Sequence, residues 1–362
     1  MKYRTLGPSG MVVSTLGLGT MYFGDETAEP DAFAILDAFI EGGGNLIDTA
    51  DVYVGGVAEQ VVGRWLKDRP NDITDRVVLA TKGRGGTGPD VNDVGLSRRH
   101  LKRALDASCR RLGVDTIDLY QLHAWDPLTP VEETLSFLDD AVRAGRILYV
   151  GLSNFTGWQL QLMISTARAM GVVIPVSLQQ QYSLLSRESE WEVIPAALHN
   201  EVGLLPWSPL AGGFLTGKYQ RGSIPAPNTR AGSSKPLYQW VSAEYAESDH
   251  NWSTVDTVVQ IANDLGTTPA QVALSWLSDR PGVTAPIIGA RTLEHLKDAL
   301  GGCDLVLDER ATAALEQVSM PHPGGYPYGA FGVGQRKRLV DSSAHGLVSV
   351  VSGGSAYPLG FR

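Results

Sequence analysis

Apolar runs alternate with amphipathic segments along most of the chain. Short apolar runs predict buried strands at residues 15–19, 45–48, 77–81, 117–122, 147–152, 173–178, 202–206 and 284–288. Segments with apolar residues at helical spacing predict helices at residues 31–41, 58–66, 97–112, 130–144, 254–265, 269–277, 292–300 and 308–318. Alternating strands and helices indicate an α/β protein with a parallel sheet, and eight strands suit a closed (β/α)8 TIM barrel.

Three segments depart from this alternation. Residues 3–6 and 11–13 flank a Gly-Pro-Ser-Gly turn, which predicts an N-terminal β-hairpin at the bottom of the barrel. Residues 211–251 lack periodicity and are rich in glycine, proline, serine and aromatic residues, which predicts a long loop over the C-terminal face. We therefore expect one barrel domain at residues 1–318 and a Gly- and Ser-rich tail at residues 319–362, either partly disordered or lying across the barrel mouth.

Composition narrows the class of protein. The net charge of −9 and the pI near 5.3 argue against a general nucleic-acid or anionic-membrane surface. No apolar run is long enough to span a membrane, and the N-terminus lacks the basic and then apolar pattern of a secretion signal. The two cysteines, Cys109 and Cys303, are too few for a disulfide framework and lie in no metal-binding spacing. We expect a cytoplasmic protein with small-molecule substrates, without a metal, nucleic-acid or membrane site; oligomerisation stays open.

Four reactive side chains fall near the ends of three successive predicted strands. Asp48 ends the second strand, and Tyr53 follows in the next turn. Lys82 follows the third strand and His123 the fourth. Each residue alone has an ordinary structural interpretation, such as a turn cap or a core histidine. In a parallel barrel, however, all four would converge on one face, and their joint order therefore indicates a site.

The chemistry of these residue types suggests a proton-transfer site. A buried Lys82 ammonium near Tyr53 is expected to favour the phenolate and to lower the phenol pKa from its usual value of about 10. Asp48 would keep the lysine charged and oriented. His123 would either share the proton or hold a carbonyl oxygen. Such a group can protonate an oxygen atom while a hydride arrives at carbon.

Asp48, Tyr53, Lys82 and His123, in this order and spacing, resemble the catalytic tetrad of the aldo-keto reductases. Residues 151–155, 178–182, 206–210 and 288–291 also resemble later signature segments of that family, in the same order. The resemblance therefore covers residues 2–318. The branch resembled includes bacterial general aldo/keto reductases and potassium-channel β-subunits. The resemblance implies reversible, NADPH-dependent reduction of an aldehyde or ketone to an alcohol, with Tyr53 as general acid.

The resemblance also implies a set of cofactor contacts. Ser153, Asn154 and Gln179 would hydrogen-bond the nicotinamide carboxamide, and Trp207 would stack on the ring. Arg291, at a helix start, would bind the adenosine 2′-phosphate, although His295 replaces the amide that related sequences often carry. The full implied set is Gly19, Thr20, Ser153, Asn154, Gln179, Trp207, Ser208, Pro209, Leu210, Gly213, Lys218, Gly289, Arg291 and His295. No Gly-x-Gly-x-x-Gly turn lies between a strand and a helix, which disfavours a Rossmann fold but not the cofactor.

Other functions and the substrate stay open to different degrees. Tyr22, Phe23 and Trp125, together with the aromatic loop at residues 211–251, suggest an apolar carbonyl substrate. The alternative function is a binding or assembly role like that of channel β-subunits, with a vestigial or sensing reductase site. Glycoside hydrolysis would need two carboxylates at the mouth, and metal-assisted hydrolysis would need a histidine cluster, so both are disfavoured.

Overall fold

The strands form a hairpin and a closed barrel. The described residues of the computed structural model are 1–227, 229–322 and 324–336. Within them the strands are β1 (Tyr3–Thr5), β2 (Val12–Ser14), β3 (Gly17–Gly19), β4 (Leu46–Asp48), β5 (Val78–Gly83), β6 (Ile117–Leu122), β7 (Ile147–Ser153), β8 (Ser177–Gln181), β9 (Gly203–Trp207) and β10 (Ile287–Ile288). Strands β1 and β2 pair antiparallel, and the other eight close in the order β10-β3-β4-β5-β6-β7-β8-β9. The predicted (β/α)8 barrel with an N-terminal hairpin is confirmed.

Helices surround this barrel. They are α1 (Glu29–Glu41), α2 (Val57–Asp68), α3 (Asn71–Thr74), α4 (Arg98–Leu112), α5 (Val131–Arg143), α6 (Gly157–Met170), α7 (Val193–His199), α8 (Pro236–Ala246), α9 (Asp249–Leu265), α10 (Pro269–Ser278), α11 (Leu293–Gly301) and α12 (Glu309–Val318). Several begin where a side-chain oxygen accepts a backbone N–H of the first turn, as Ser97 does for α4 and Thr292 for α11. Their apolar faces form a large core with the outer faces of the strands.

The hairpin closes the bottom of the barrel. Leu6, Met11 and Val13 pack in one buried cluster with side chains of the barrel strands, among them Leu46 and Leu119. Because the bottom is filled with apolar side chains, an open site is left to the C-terminal ends of the strands.

Strand register brings the polar strand ends to similar heights. Gly19 pairs with Asp48, and Lys82 pairs with Gln121 on the next strand. Farther round the barrel, Ser153 pairs with Gln179. Since side chains alternate between the two faces of a strand, this register aims a ring of polar groups from several strands at the barrel mouth.

The segment at residues 211–251 is more ordered than its lack of periodicity predicted. It contains a 3₁₀-helix at Ala211–Thr216 and the helix α8, and α9 begins at Asp249 rather than near residue 254. Aromatic packing explains the difference, because Phe214 contacts the rings of Tyr219, Tyr245 and Trp252. The segment lines the predicted site, as expected of a long loop over the C-terminal face, but it contains regular helices that its sequence pattern did not predict.

The chain divides into two compact units, Met1–Ser319 and Met320–Arg362. The second unit contains the helix α13 (Ala330–Arg336), which ends at the last described position, and residues 337–362 of the predicted tail lie outside the described residues. Within the described parts of the chain, no helix is both long enough and apolar enough to cross a membrane. The same parts contain no group of three or more side chains placed to hold a metal ion.

Candidate active site

Lys82 lies at the centre of a buried hydrogen-bond group at the barrel mouth. Its Nζ is 2.5 Å from Asp48 Oδ2, 2.9 Å from Tyr53 Oη and 3.0 Å from the carbonyl oxygen of Thr49. The lysine side chain is fully buried. An ammonium has three N–H donors, and all three are used here. Because Lys82 donates to the phenol oxygen, the O–H proton of Tyr53 remains free to point elsewhere.

The carboxylate of Asp48 is held from both sides. Its Oδ2 accepts from Lys82, while Oδ1 accepts from Gln121 Nε2 at 2.9 Å and from Gln179 Nε2 at 2.8 Å. Thr20 bonds the backbone carbonyl oxygen of Asp48 through both its N–H and its hydroxyl group. This many partners fix the carboxylate, and with it the direction of the lysine ammonium.

The pKa of Lys82 lies above its usual value. Burial alone would lower it, but the charge and hydrogen bond of Asp48, together with Tyr53, outweigh burial. For Tyr53 the balance is opposite, because burial raises the phenol pKa more than Lys82 lowers it. The expected net lowering of the Tyr53 pKa was therefore wrong. Tyr53 is instead a protonated phenol at neutral pH, which is the form that can donate a proton.

A strained turn positions Tyr53. The residues after it, Val54, Gly55 and Gly56, have φ values of 50°, 62° and 93°. Two glycines adopt such left-handed conformations at little cost, whereas valine does not. This turn lets the chain reverse directly after Tyr53 and enter α2, and it leaves the phenol beside Lys82.

His123 lies against Tyr53 with its charge suppressed. The two ring centroids are 5.8 Å apart and the rings meet edge to face. Burial, together with the positive charges of Lys82 and Arg84, lowers the pKa of His123 to about 3. The imidazole is therefore neutral near pH 7 and offers one N–H donor. Of the two roles considered for His123, holding a carbonyl oxygen fits this state better than sharing a proton.

An amide next to the group links two strand ends. Asn154, which adopts φ 57°, donates through Nδ2 to the carbonyl oxygen of His123 at 2.9 Å and to Ser153 Oγ at 3.0 Å. Its Oδ1 accepts from Trp207 Nε1 at 3.1 Å. This bond fixes the indole of Trp207 on the wall of the cavity that Tyr53 also lines.

These residues line one cavity of about 490 Å³. A cavity of this size suits a drug-sized ligand or a cofactor. Most predicted site residues share this wall: Gly19, Tyr22, Asp48, Tyr53, His123, Ser153, Asn154, Gln179, Trp207, Ser208, Pro209, Leu210, Gly213, Lys218, Gly289, Arg291 and His295. Lys82 lies directly behind them, bonded to Asp48 and Tyr53.

Three predicted contacts lie outside the cavity wall. Thr20 is fully buried against the backbone of Asp48, and Phe23 is fully buried in the core. Trp125 packs edge to face on Phe155 and Trp158. The structure therefore leaves no surface of Phe23 for a substrate, whereas the predicted contacts of Thr20 and Trp125 stay predictions. Local sequence could not distinguish these roles, because an aromatic residue after a strand suits either the core or the mouth.

Arg230 is a cavity residue that the sequence patterns did not reveal. Its guanidinium carbon lies 4.5 Å from the ring centroid of Tyr22 and 5.6 Å from that of Tyr238. Burial lowers its pKa to about 10, so the guanidinium is still charged at neutral pH. Within the described residues Arg230 has no carboxylate partner. A lone arginine in an aperiodic segment carries no motif, and only the fold places it beside Tyr22.

Side chains pack closely against two glycines of the cavity wall. Gly213 has φ 96°, and a Cβ atom there would stand 2.7 Å from Lys218 Nζ. At Gly289 a Cβ atom would stand 2.8 Å from the Tyr22 ring. Lys218, like Arg230, has no carboxylate ion pair in the described part of the chain. Two cations without carboxylate partners on one cavity wall fit a phosphate-bearing ligand such as a dinucleotide.

Behind the group lies a second set of buried acids. Glu59 is fully buried and accepts hydrogen bonds from Thr81 Oγ1 at 2.5 Å and Arg111 Nε at 2.7 Å. Asp51, 3% exposed, forms no ion pair within the described residues. Burial, reinforced by the charge of Glu59, raises the pKa of Asp51 to about 7. Asp51 is therefore partly protonated near neutral pH.

Comparison with known proteins identifies the family. The model of the aldo/keto reductase family matches residues 15–320, which is most of the chain. The chain belongs to the aldo/keto reductase family. It is accordingly an oxidoreductase, and members of this family reduce carbonyl groups and generally use NAD(P)H.

Relatives within the aldo/keto reductase family bear several names. An uncharacterized oxidoreductase, YrpG, of Bacillus subtilis (strain 168) is 37% identical over 338 residues, which cover 90% of this chain and 98% of that protein. A versiconal hemiacetal acetate reductase of Aspergillus parasiticus is 34% identical, covering 90% and 99%. A probable voltage-gated potassium channel subunit beta of Arabidopsis thaliana is 33% identical, covering 89% and 98%. The predicted branch of the family is confirmed.

Proposed function

We propose that this protein reduces an aldehyde or ketone to an alcohol with NADPH, and that Tyr53 donates the proton. The observation that carries the proposal is the bond from Lys82 Nζ to Tyr53 Oη at the floor of the cavity. Because Lys82 is the donor in this bond, the O–H group of the Tyr53 phenol is free to donate to a ligand in the cavity. The same phenol is backed by an ammonium that stabilises the phenolate left after proton transfer.

His123 and Lys82 have complementary roles in this proposal. The neutral imidazole donates its N–H to the carbonyl oxygen and orients it toward Tyr53 Oη. As negative charge develops on that oxygen, the Tyr53 proton moves to it. The ammonium of Lys82 then stabilises the negative charge of the Tyr53 phenolate. Asp48 keeps Lys82 protonated throughout, because the pKa of that lysine is raised in its presence.

The cofactor in this proposal is NADPH, which when bound supplies the hydride. Ser153, Asn154 and Gln179 would hold the carboxamide of its nicotinamide, and Trp207 would cover the ring. Lys218 and Arg230 are the candidates for the pyrophosphate, since both are cations without carboxylate partners in the described part of the chain. Arg291, next to the N-terminus of α11, is the candidate for the 2′-phosphate.

The apolar cavity wall and the two free cysteines bear on the substrate class and the cellular location. The cavity has an apolar wall from Tyr22, Trp207 and the neighbouring aromatic segment, which suits an apolar carbonyl compound. We place the protein in the cytoplasm, because Cys109 and Cys303 are both free thiols, as is usual in a reducing compartment.

A steady-state assay tests the proposal. Wild type should oxidise NADPH in the presence of members of a panel of aldehydes, ketones and keto-sugars, with alcohol formed in equal amount. Tyr149→Phe is the matched control for a Tyr53→Phe variant. It removes a phenol hydroxyl on β7 away from the cavity and should leave the rate unchanged. Absence of turnover with every carbonyl, from a folded protein, would contradict the proposal.

A second candidate function is a binding role in an assembly. The potassium-channel β-subunits similar to this chain over nearly its full length favour it. In that case the protein would bind NADPH tightly, and its rate of carbonyl reduction would be far lower than the rate at which bound NADPH exchanges with free cofactor. Single-turnover and steady-state rates of NADPH oxidation therefore discriminate the two functions.

A further inference from the structure

Glu26 is bonded to two residues of the cavity wall, Tyr238 and Arg291, and to Lys235. Its Oε1 accepts from Lys235 Nζ at 2.9 Å and from Tyr238 Oη at 2.7 Å. Its Oε2 lies 3.2 Å from Arg291 Nη1. Burial would raise the pKa of Glu26, but these three partners together leave it below its usual value. Glu26 is therefore a charged carboxylate at neutral pH, and it touches the arginine that our proposal assigns to the 2′-phosphate.

We infer that Glu26 determines the nicotinamide cofactor preference by competing with the 2′-phosphate for Arg291. The inference rests on the proposed function, in which Arg291 binds that phosphate. The carboxylate is available to accept a hydrogen bond from a ribose 2′-hydroxyl, but it repels a phosphate dianion at the same place. Glu26 thus limits the preference for NADPH and raises the affinity for NADH relative to that for NADPH.

The geometry of the Arg291 pair supports competition. Elsewhere in the chain, arginine forks hold carboxylates with two nitrogens, as Arg64 holds Glu29 at 2.8 and 2.7 Å. Arg69 holds Asp37 in the same manner. Arg291 contacts Glu26 through a single nitrogen at a longer distance. Its fork is only partly used, so an incoming anion can bind the remaining N–H groups while Glu26 stays close.

Several cations and few acids lie around this corner of the cavity. Lys218, Arg230 and Arg291 line the wall, and Lys235 bonds Glu26. Asp298 is an acid on the wall, bonded by Thr268 and Gln271. His295 lies nearby, and burial lowers its pKa, so it adds little positive charge near pH 7. Removing the charge of Glu26 leaves the arginines in excess where a phosphate would bind.

Glu26 also connects its loop to Lys235, and a control is needed for that role. Asp25 accepts from the same Lys235 Nζ at 2.5 Å but makes no contact with Arg291. Asp25→Asn therefore weakens the link between the two segments without changing the charge next to the Arg291 fork. Any effect due to loosened loops should appear in both variants.

Equilibrium titration tests the inference, with calorimetry on wild type, Glu26→Gln, Asp25→Asn, Arg291→Ala and the combined variant Glu26→Gln with Arg291→Ala. The probes are NADP⁺ and NAD⁺, without substrate. Glu26→Gln should tighten NADP⁺ binding roughly fivefold to tenfold, as expected for removing one like charge from a partly solvated site. NAD⁺ binding should stay the same or weaken. Asp25→Asn should affect both dinucleotides equally.

The combined variant measures whether the effect of Glu26→Gln depends on Arg291. Without Arg291, the gain from Glu26→Gln should become smaller, because the carboxylate then has no fork to compete for and only its direct repulsion of the phosphate is removed. Equal changes for both dinucleotides in Glu26→Gln, or weaker NADP⁺ binding, would overturn the inference. Failure of the proposed function is distinct: it would appear as wild type binding neither dinucleotide, or as Arg291→Ala leaving NADP⁺ affinity unchanged.

Discussion

Lys82 Nζ donates to Tyr53 Oη across 2.9 Å while it is held by Asp48 on its other side. This order of donors decides which group can lose a proton. The lysine has no N–H left to give, whereas the tyrosine keeps its O–H. The proposed chemistry of the cavity depends on that one relationship.

We predict that Tyr53→Phe lowers the rate of carbonyl reduction by at least about 100-fold, the lower range for loss of a general acid. The ring and its contact with His123 remain, so cofactor affinity should change little. Stopped-flow measurement of NADPH oxidation and a separate titration of NADP⁺ give the two quantities. A variant that keeps wild-type turnover would remove Tyr53 from the proposed role.

Lys82→Met should lower turnover and stability together. The phenolate loses its cation, and Asp48 keeps a buried negative charge, which costs roughly 3–5 kcal/mol when one partner of a buried pair is removed. Urea unfolding and steady-state kinetics give both values. A double variant, Lys82→Met with Asp48→Asn, should recover stability but not activity. Recovery of both would mean that the ion pair only supports the fold.

His123 should not titrate in the range of ordinary assays. Its pKa is lowered to about 3 by burial, with smaller effects of Lys82 and Arg84, so it stays neutral from pH 5 to 8. We therefore expect the pH profile of kcat/KM to show no inflection near 6.5, the usual histidine value. His123→Ala should lower the rate without changing the shape of the profile. An inflection near 6.5 that is lost in this variant would contradict the assignment.

Asp51 should make stability depend on pH. Its pKa is raised to about 7 in the folded protein by burial and by Glu59, against about 4 in an unfolded chain. The folded state therefore binds more protons between these values, and stability falls as pH rises through that window.

Asp51→Asn removes this dependence. Relative to wild type, the variant should gain about 2 kcal/mol of unfolding free energy on going from pH 5 to pH 8. Urea unfolding of both proteins at the two pH values measures it. If the difference between the two proteins were the same at both pH values, the raised pKa would be wrong. Glu247→Gln, a carboxyl loss on the exposed surface, is the control and should show no such change.

The sequence predicted what depends on local pattern. The strand ends at Asp48, Lys82 and His123 follow from apolar runs that stop at a polar residue, and a closed barrel then brings them together. What it could not predict depends on contacts between distant loops. The pair between Glu26 and Arg291 leaves no periodic signal, because neither residue lies in a repeating pattern.

The same limit explains two differences in the cavity. Phe23 and Tyr22 are neighbours in an aromatic loop, yet only Tyr22 reaches the wall, because the backbone there turns the Phe23 ring into the core. The net pKa of Tyr53 was predicted in the wrong direction because burial depth cannot be read from sequence, and burial outweighs the nearby charge of Lys82.

The last prediction concerns Arg291 itself. Arg291→Ala should weaken NADPH binding by roughly 1.5–3 kcal/mol, the range for hydrogen bonds to charged groups, and should leave NADH binding nearly unchanged. The loss is expected because the phosphate loses the guanidinium fork that binds it. Titration of both dinucleotides at low and at high ionic strength measures the loss.

Salt provides a second readout of the same contact. An ionic contact is screened, so the NADPH advantage of wild type should shrink as salt is raised, while Arg291→Ala should have little left to lose. Arg64→Ala, which removes the partner of Glu29 between α1 and α2, is the matched control and should alter neither affinity. Equal losses for NADPH and NADH in Arg291→Ala would instead mean that the arginine supports the Glu26 loop and does not bind the phosphate.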